Sequence, residues 1–195
     1  MSATDTRSQI LAAARTLLDE GGASGVSMRK VAERVGITAM AIYRHFPDHQ
    51  ALLNALTDQG FAGLAQSLQS RVPVEPPILE RMEIVIDVFL DFGLDHPRLF
   101  ELMFLASRPG ARQFPRDFEA GLSPTANLFA DMLKQGIAEG LFRPDEDIWE
   151  ITFETGALMQ GLIMLYLGGR IGLDAEGFRA LVRRALRRYT HGICI

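Results

Sequence analysis

Residues 31–46 read V-A-E-R-V-G-I-T-A-M-A-I-Y-R-H-F, and no other stretch restricts the fold as much. Gly36 separates two short apolar-patterned segments. Val31, Val35, Ile37 and Ile42 supply the apolar positions, and small Ala32 lies four residues before the glycine. This is the pattern of a helix-turn-helix. Ala32 lets the second helix cross close to the first. Gly36 can take the left-handed backbone that a tight turn needs. Ile37 and Ile42 pin the second helix and leave its other face free for a DNA groove.

Helical periodicity runs through the rest of the chain, and no segment sustains period-two alternation. The predicted fold class is all-α. An N-terminal three-helix, helix-turn-helix DNA-binding domain over 1–50 joins a helical-bundle ligand-binding and dimerisation domain over 51–195. A fourth helix over about 48–68 connects them. Thr6-Arg7-Ser8-Gln9 matches a capping box for the first helix. Ile10, Leu11, Ala14, Leu17 and Leu18 form its apolar stripe, and Gly21-Gly22 ends it. Ser27, Thr38 and Asp48 are predicted to cap the next three helices. Pro73, Pro76 and Pro77 mark a boundary. Further helices are predicted over 78–95, 97–106 and 124–139, over a long stretch from 145 to about 168, and from 174 to about 191. Residues 107–122, with two prolines and two glycines, read as a loop.

Composition narrows the function. Hydrophobic residues make up 48% and charged residues 23% of the chain, enough for a sizeable core. Net charge is −4, which argues against a protein that coats nucleic acid. Residues 1–50 hold six basic and five acidic side chains; the remainder holds fourteen and nineteen. A locally positive head on an acidic body suits a site-specific DNA binder. The single cysteine, Cys194, rules out a disulfide within the chain and fits a reducing cytoplasm. Asp5 stands where an export signal would be basic, and the apolar stretch 157–167 is too short to span a bilayer. A cytoplasmic location is expected.

Residues 7–60 resemble the DNA-binding domain of TetR-family transcriptional regulators. The resemblance rests on Ile10-Leu11, Ala13-Ala14, Leu17, Gly21, Val31-Ala32, Val35-Gly36-Ile37, Ile42-Tyr43-Arg44-His45-Phe46 and Leu52-Leu53. It implies a homodimer that binds a pseudo-palindromic double-stranded DNA operator and, by default, represses. It also implies a body that senses a small effector. Where the family often has lysine at the start of the fourth helix, this chain has His49, so a phosphate contact there depends on pH.

Three sets of candidate residues follow. For DNA, the recognition helix offers Thr38, Ala39, Met40, Tyr43 and Arg44, with apolar contacts to thymine methyls from Ala39, Met40 and the Thr38 methyl. The resemblance places Tyr43 and His45 on phosphates. Ser27, Met28 and Arg29 open the second helix, where backbone N–H groups suit a phosphate, and His49 completes the set. His45 and His49 are four apart, but Pro47-Asp48 breaks the helix between them, so no metal site is expected.

For the effector, Met82, Ile86, Phe89, Met103, Phe104, Phe129, Met132 and Met159, with Thr155 and Gln160 as polar groups, are the expected pocket. A body with few candidate buried charges implies a neutral or weakly polar, largely hydrophobic ligand. No cofactor is expected.

For the dimer, the expected interface is Ala157, Gly161, Met164, Leu165, Phe178, Leu181, Val182 and Leu186, with close helix approach at Ala157 and Gly161. Two rows lie outside these sets. Glu83, Asp87, Asp91 and Asp95 read as a narrow wet strip. Arg179, Arg183, Arg184, Arg187 and Arg188 read as a solvated face, or one paired with acids across a dimer. The competing readings are a helical partner-binding protein with a vestigial DNA-binding head and, more remotely, an enzyme. No nucleophile–base pair or phosphate loop supports the latter.

Overall fold

The computed structural model describes residues 3–194, with side chains from Thr6 onward. Among the described residues ten helices follow one another: α1 (Ala3–Gly25), α2 (Met28–Val35), α3 (Ala39–Tyr43), α4 (His49–Arg71), α5 (Ile78–Asp95), α6 (Pro97–Phe104), α7 (Arg116–Glu119), α8 (Pro124–Ala138), α9 (Ile148–Leu167) and α10 (Ala175–Ile193). Among the described residues there is no strand, only an isolated antiparallel bridge between Phe142 and Cys194. The all-α expectation holds, and the helix boundaries fall close to those read from the sequence.

Three local readings change. α1 begins before Thr6, so the capping-box match does not mark its start. The long helix is capped by Asp147, whose carboxylate accepts from Trp149 N at 2.8 Å and Glu150 N at 3.1 Å, rather than opening at Asp145. The loop over 107–122 contains the single turn α7. The break at Gly21-Gly22 is present in another form. Gly22 adopts φ 68°, ψ −171°, kinking the chain before a last turn to Gly25.

Two compact units form. The first runs to Gly63 and takes in His96–Arg108; the second comprises Leu64–Asp95 and everything from Pro109 onward. The division therefore does not fall at residue 50. In the first unit, Ile10, Ala14, Leu18, Val31, Ile42 and Leu52 are fully buried. α6 belongs to this unit because Leu99, Phe100, Leu102 and Met103 bury its apolar face there. Gly60 on α4 makes room for it: a Cβ at Gly60 would stand 2.5 Å from Met103 Sδ. Arg108 closes the contact with an ion pair to Asp58 at 2.8 Å.

The second unit packs α5, α8, α9 and α10 around Phe142, Phe178, Leu90, Leu133 and Ile163, all buried. α5 and α10 are antiparallel and joined by a ladder. Arg187 meets Glu83, Arg183 meets Asp87 and Arg179 meets Asp91, each at 2.7 Å. Three of the four acids and three of the five arginines thus pair with each other inside one chain. For these the expectation of a merely solvated face or of pairing across a dimer is replaced, while Asp95, Arg184 and Arg188 are exposed.

Candidate nucleic-acid interface

The head is built to present one short helix. Ser27 caps α2 by accepting from Lys30 N at 3.3 Å, and Thr38 caps α3 by accepting from Ala41 N at 3.2 Å. Gly36 ends α2 with φ 76°, and its N–H reaches Ala32 O at 2.9 Å. The next N–H, from Ile37, bonds the same carbonyl at 3.0 Å, which fixes the turn into α3. Ala32 is buried, so the close crossing that its small side chain allows is present. Ile42 is the buried anchor of α3.

The opposite face of α3 is open. Thr38, Ala39, Met40, Tyr43 and Arg44 are all exposed, Met40 at 70% and Tyr43 at 47%. Met40 thereby gives this face an apolar group in solvent between Ala39 and the polar Thr38 and Tyr43. His45 and Ser27 are half-buried and Arg29 is exposed. Met28 departs from expectation. Its side chain is buried in the head core, so only its backbone N–H remains for a ligand at the helix start.

Charge is distributed with the same bias. Arg15 pairs with Asp19 at 2.9 Å and Arg34 with Glu20 at 3.0 Å, so two head arginines are neutralised locally. Arg7 lies over the Phe46 ring at 4.9 Å. Arg29 and Arg44 have no acidic partner among the described residues. Lys30 reaches only a carbonyl, Gly25 O, at 3.5 Å. Arg7, Arg29, Lys30 and Arg44 thus lack an acidic partner among the described residues, and the last three sit at the start of α2 and the end of α3, beside the exposed face of α3.

His49 is held differently from a phosphate-seeking lysine. Its Nε2 lies 3.0 Å from Val26 O. A carbonyl only accepts, so Nε2 carries the proton and donates it there. Nδ1 could donate to a phosphate only in the doubly protonated ring. No group of three or more metal-binding side chains occurs among the described residues.

The second unit carries the remaining candidates. Met82, Ile86, Phe89, Phe129, Met132, Thr155 and Met159 are buried in it, and Gln160 is half-buried. Met103 and Phe104 are not in this unit: Met103 faces Gly60, and Phe104 packs on Phe61 and Phe100 at ring distances of 5.4 and 4.5 Å. A cavity of about 390 Å³ lies elsewhere. Glu146, Asp147, Glu150 and Glu154 line it with Arg188 and Tyr189, and none of the expected pocket residues do. Tyr189 donates to Glu154 there. Burial and the adjoining Glu154 carboxylate push its phenol well above the usual range.

Of the expected interface, Phe178, Val182 and Leu186 are buried in their own protomer's core and cannot meet a partner. The apolar stripe of α10 faces inward. On α9 an exposed apolar row remains: Phe153 at 42%, Ala157, Gly161, and Leu165 at 40%, spaced four apart. Phe153 also stacks on Phe114 at 4.6 Å. Met164 and Leu181 are half-buried beside it.

Residues 10–56 match the family of bacterial regulatory proteins, tetR family, and residues 83–189 match the tetracycline repressor-like C-terminal domain. The chain is 24% identical over 176 residues to the nucleoid occlusion factor SlmA of Alteromonas mediterranea, covering 90% of this chain and 87% of that protein. It is 36% identical over 117 residues to the class A tetracycline repressor from transposon 1721 of Escherichia coli, covering 60% of this chain and 46% of that protein. Several such matches span only about half of the relative's length. A solved structure from Rhodococcus sp. RHA1, of unknown function, is similar with TM-score 0.80 and 28% identity, covering 97% of this chain and 95% of that one. A TetR variant from Acinetobacter baumannii in complex with minocycline has the same fold at TM-score 0.67 and 22% identity, covering 94% and 93%.

Proposed function

We propose that this chain, which belongs to the TetR family of transcriptional regulators, is a dimeric repressor released from a pseudo-palindromic operator by a small, largely apolar effector. The observation that carries the reading is the open face of α3. Thr38, Ala39, Met40, Tyr43 and Arg44 project from a helix anchored only by Ile42, beside cations that no acid compensates. A short helix with apolar and cationic exposed groups suits a major groove: apolar groups meet thymine methyls, Arg44 and Tyr43 meet backbone or base edges, and the α2 start meets phosphate.

Dimerisation through the α9 row would join two such heads in one particle. A small residue at Ala157 and another at Gly161 permit backbones to approach, and Phe153 and Leu165 supply apolar area at the ends. An effector in the body would act by population shift, favouring a head spacing that no longer matches two successive major grooves about 34 Å apart. The minocycline-bound neighbour supports ligand sensing by this type of body.

Selection of bound duplexes from a random pool tests the reading with the intact protein. The expected product is an inverted repeat with half-site centres about 10 base pairs, or a multiple, apart, bound with steep salt dependence. No sequence preference, with no duplex affinity even at low salt, would leave a partner-binding helical protein with a vestigial head as the better account.

A further inference from the structure

Three buried side-chain atoms in the second unit have no hydrogen-bond partner, and two of them belong to Arg81 and Thr155. Arg81 on α5 is 8% exposed. One of its terminal nitrogens donates to Gln135 Oε1 on α8 at 2.9 Å, and its Nε is buried without a partner. Arg81 takes part in no ion pair among the described residues. The carboxylate nearest along this chain of bonds, Glu139, is reached only through the Gln135 amide, which donates to it at 2.8 Å. A guanidinium stays charged at any physiological pH, so this is a buried cation with a neutral partner.

Thr155 on α9 is 2% exposed, and its Oγ1 is also unpartnered. Other helical threonines here bond the carbonyl four residues back: Thr57 to Leu53, Thr152 to Ile148 and Thr190 to Leu186, at 3.1, 2.6 and 2.9 Å. Thr155 makes no such bond, so its hydroxyl is buried with its hydrogen-bonding capacity unused.

The contacts between helices fix the register. Arg187 pairs with Glu83, which sets α10 antiparallel to α5. Tyr189 bonds Glu154, and Tyr166 stacks on Phe178 at 4.1 Å, which sets α9 antiparallel to α10. α9 therefore runs parallel to α5, and the turn holding Arg81 is level with Glu154 and Thr155. Arg81 and Thr155 therefore stand at one level of the packed helices α5 and α9, with α8 joined to Arg81 through Gln135. Asn127 Oδ1, the third such atom, sits eight residues from Gln135, about 12 Å along α8, and can only accept. Beyond this level the buried lining is apolar: Met82, Ile86, Phe89, Phe129 and Met132.

We propose that the effector is an amphipathic anion, its single acidic group held by Arg81 and Thr155 and its apolar tail lying against Met82, Met132, Phe89 and Phe129. This deepens the reading of the body as a sensor and rests on it. It also replaces the expectation of a neutral or weakly polar ligand, which rests on the few candidate buried charges in the sequence of the body. A carboxylate accepts from guanidinium Nε and from a hydroxyl, so it satisfies both orphaned atoms at once.

Calorimetric titration of the intact protein with saturated n-alkanoates of eight to sixteen carbons and the n-alkanols of matched length tests it. At least one alkanoate is expected to bind about tenfold or more tighter than its alkanol, the range of one charge-assisted contact. Arg81→Met should abolish that preference, weakening the alkanoate far more than the alkanol, which loses only an uncharged acceptor contact. Thr155→Val should weaken the alkanoate severalfold. Without ligand, Thr155→Val should melt no lower than the parent, because it deletes only an unpartnered hydroxyl. Should Arg81→Met fail to fold, Arg81→Gln removes the charge and retains a donor for Gln135. Equal binding of alkanoate and alkanol, or no alkanoate binding, overturns the proposal. Release of operator by a neutral compound, undiminished in Arg81→Gln, overturns it while leaving effector sensing intact.

Discussion

Arg183 on α10 donates from Nε and Nη2 to a single carboxylate oxygen of Asp87 on α5, at 3.0 and 2.7 Å. The same antiparallel register repeats one turn to either side, with Arg187 on Glu83 and Arg179 on Asp91. Spacing of four along both helices makes this possible, because residues four apart share a face. The ladder fixes how α10 slides along α5, and thereby where the exposed row of α9 stands. Its rungs are partly exposed, so each contributes modestly. Replacing Asp87 by Asn is expected to cost about 0.5–1 kcal/mol at low salt, and less in molar salt. Urea midpoints of Asp87→Asn, Arg183→Gln and the double variant check this: the double variant should cost less than the two singles combined.

Acid should open the same ladder from its Asp91 end. Burial there disfavours the charged carboxylate, but hydrogen bonds and attraction from Arg71 and Arg179 outweigh it and hold the group below its ordinary value. A carboxyl whose pKa is depressed on folding adds stability that is present above its unfolded value, about 4, and lost as pH falls through the lower native value. Unfolding free energy should therefore fall below about pH 4. The fall should be shallower in Asp91→Asn, which has no charge to lose. Parallel acid profiles for the two proteins would remove Asp91 from the acid-sensitive groups.

Packing offers a sharper test at Gly136. A Cβ there would stand 2.4 Å from the Phe142 ring, which is fully buried. An aromatic ring in a closed core cannot retreat as a flexible methionine can, so Gly136→Ala is expected to destabilise by about 1–3 kcal/mol. Gly60→Ala meets the far end of Met103 and should cost less. Thermal unfolding of the two variants ranks them, and the reverse order would mean that Phe142 moves freely.

Local signals carried most of the fold. Proline, glycine and capping residues lie where helices end, so α2, α5 and α8 could be read almost to the residue, whereas α3 closes at Tyr43, before the Phe46 that precedes Pro47. The exposed face of α3 was legible because one buried position, Ile42, fixes the orientation of every other on so short a helix. What the sequence hid were relations between distant segments. α6 carries an apolar face that would suit any core, and only the notch at Gly60 assigns it to the head, taking Met103 and Phe104 with it. The acidic and arginine rows were each visible, but their common register was not. Arg81 looked like any helix-surface arginine, because nothing local distinguishes a guanidinium that folds inward.

Gly161 tests the dimer. A Cβ at this position meets nothing within 4 Å in the protomer, so a side chain fits without disturbing the fold. It also stands mid-row between Ala157 and Leu165 on the exposed face of α9. Gly161→Arg should keep its helical signal and unfolding cooperativity yet run as a monomer in light scattering. Operator affinity should fall with it, since two half-sites are then read by unlinked heads. A variant that remains a dimer would place the interface on another face.

Coupling between body and head is the last expectation, and linkage makes it two-sided. If an effector lowers operator affinity by some factor, bound operator must lower effector affinity by the same factor, whatever path connects them. A working switch of this kind needs a factor of about 5–150. Tyr43 supplies the control. Tyr43→Phe removes only an exposed hydroxyl, so it should weaken operator binding across all sequences and flatten its salt dependence by about one phosphate contact. It should leave effector affinity in the free protein unchanged, and the coupling factor as well, provided each affinity is measured with saturating partner. Titrating effector with and without operator, for parent and Tyr43→Phe, yields all four constants of the cycle. Effector binding that is equally tight with and without operator would sink the switch. A Tyr43→Phe protein with unaltered affinity and salt slope would remove that hydroxyl from the DNA contacts while leaving the switch standing.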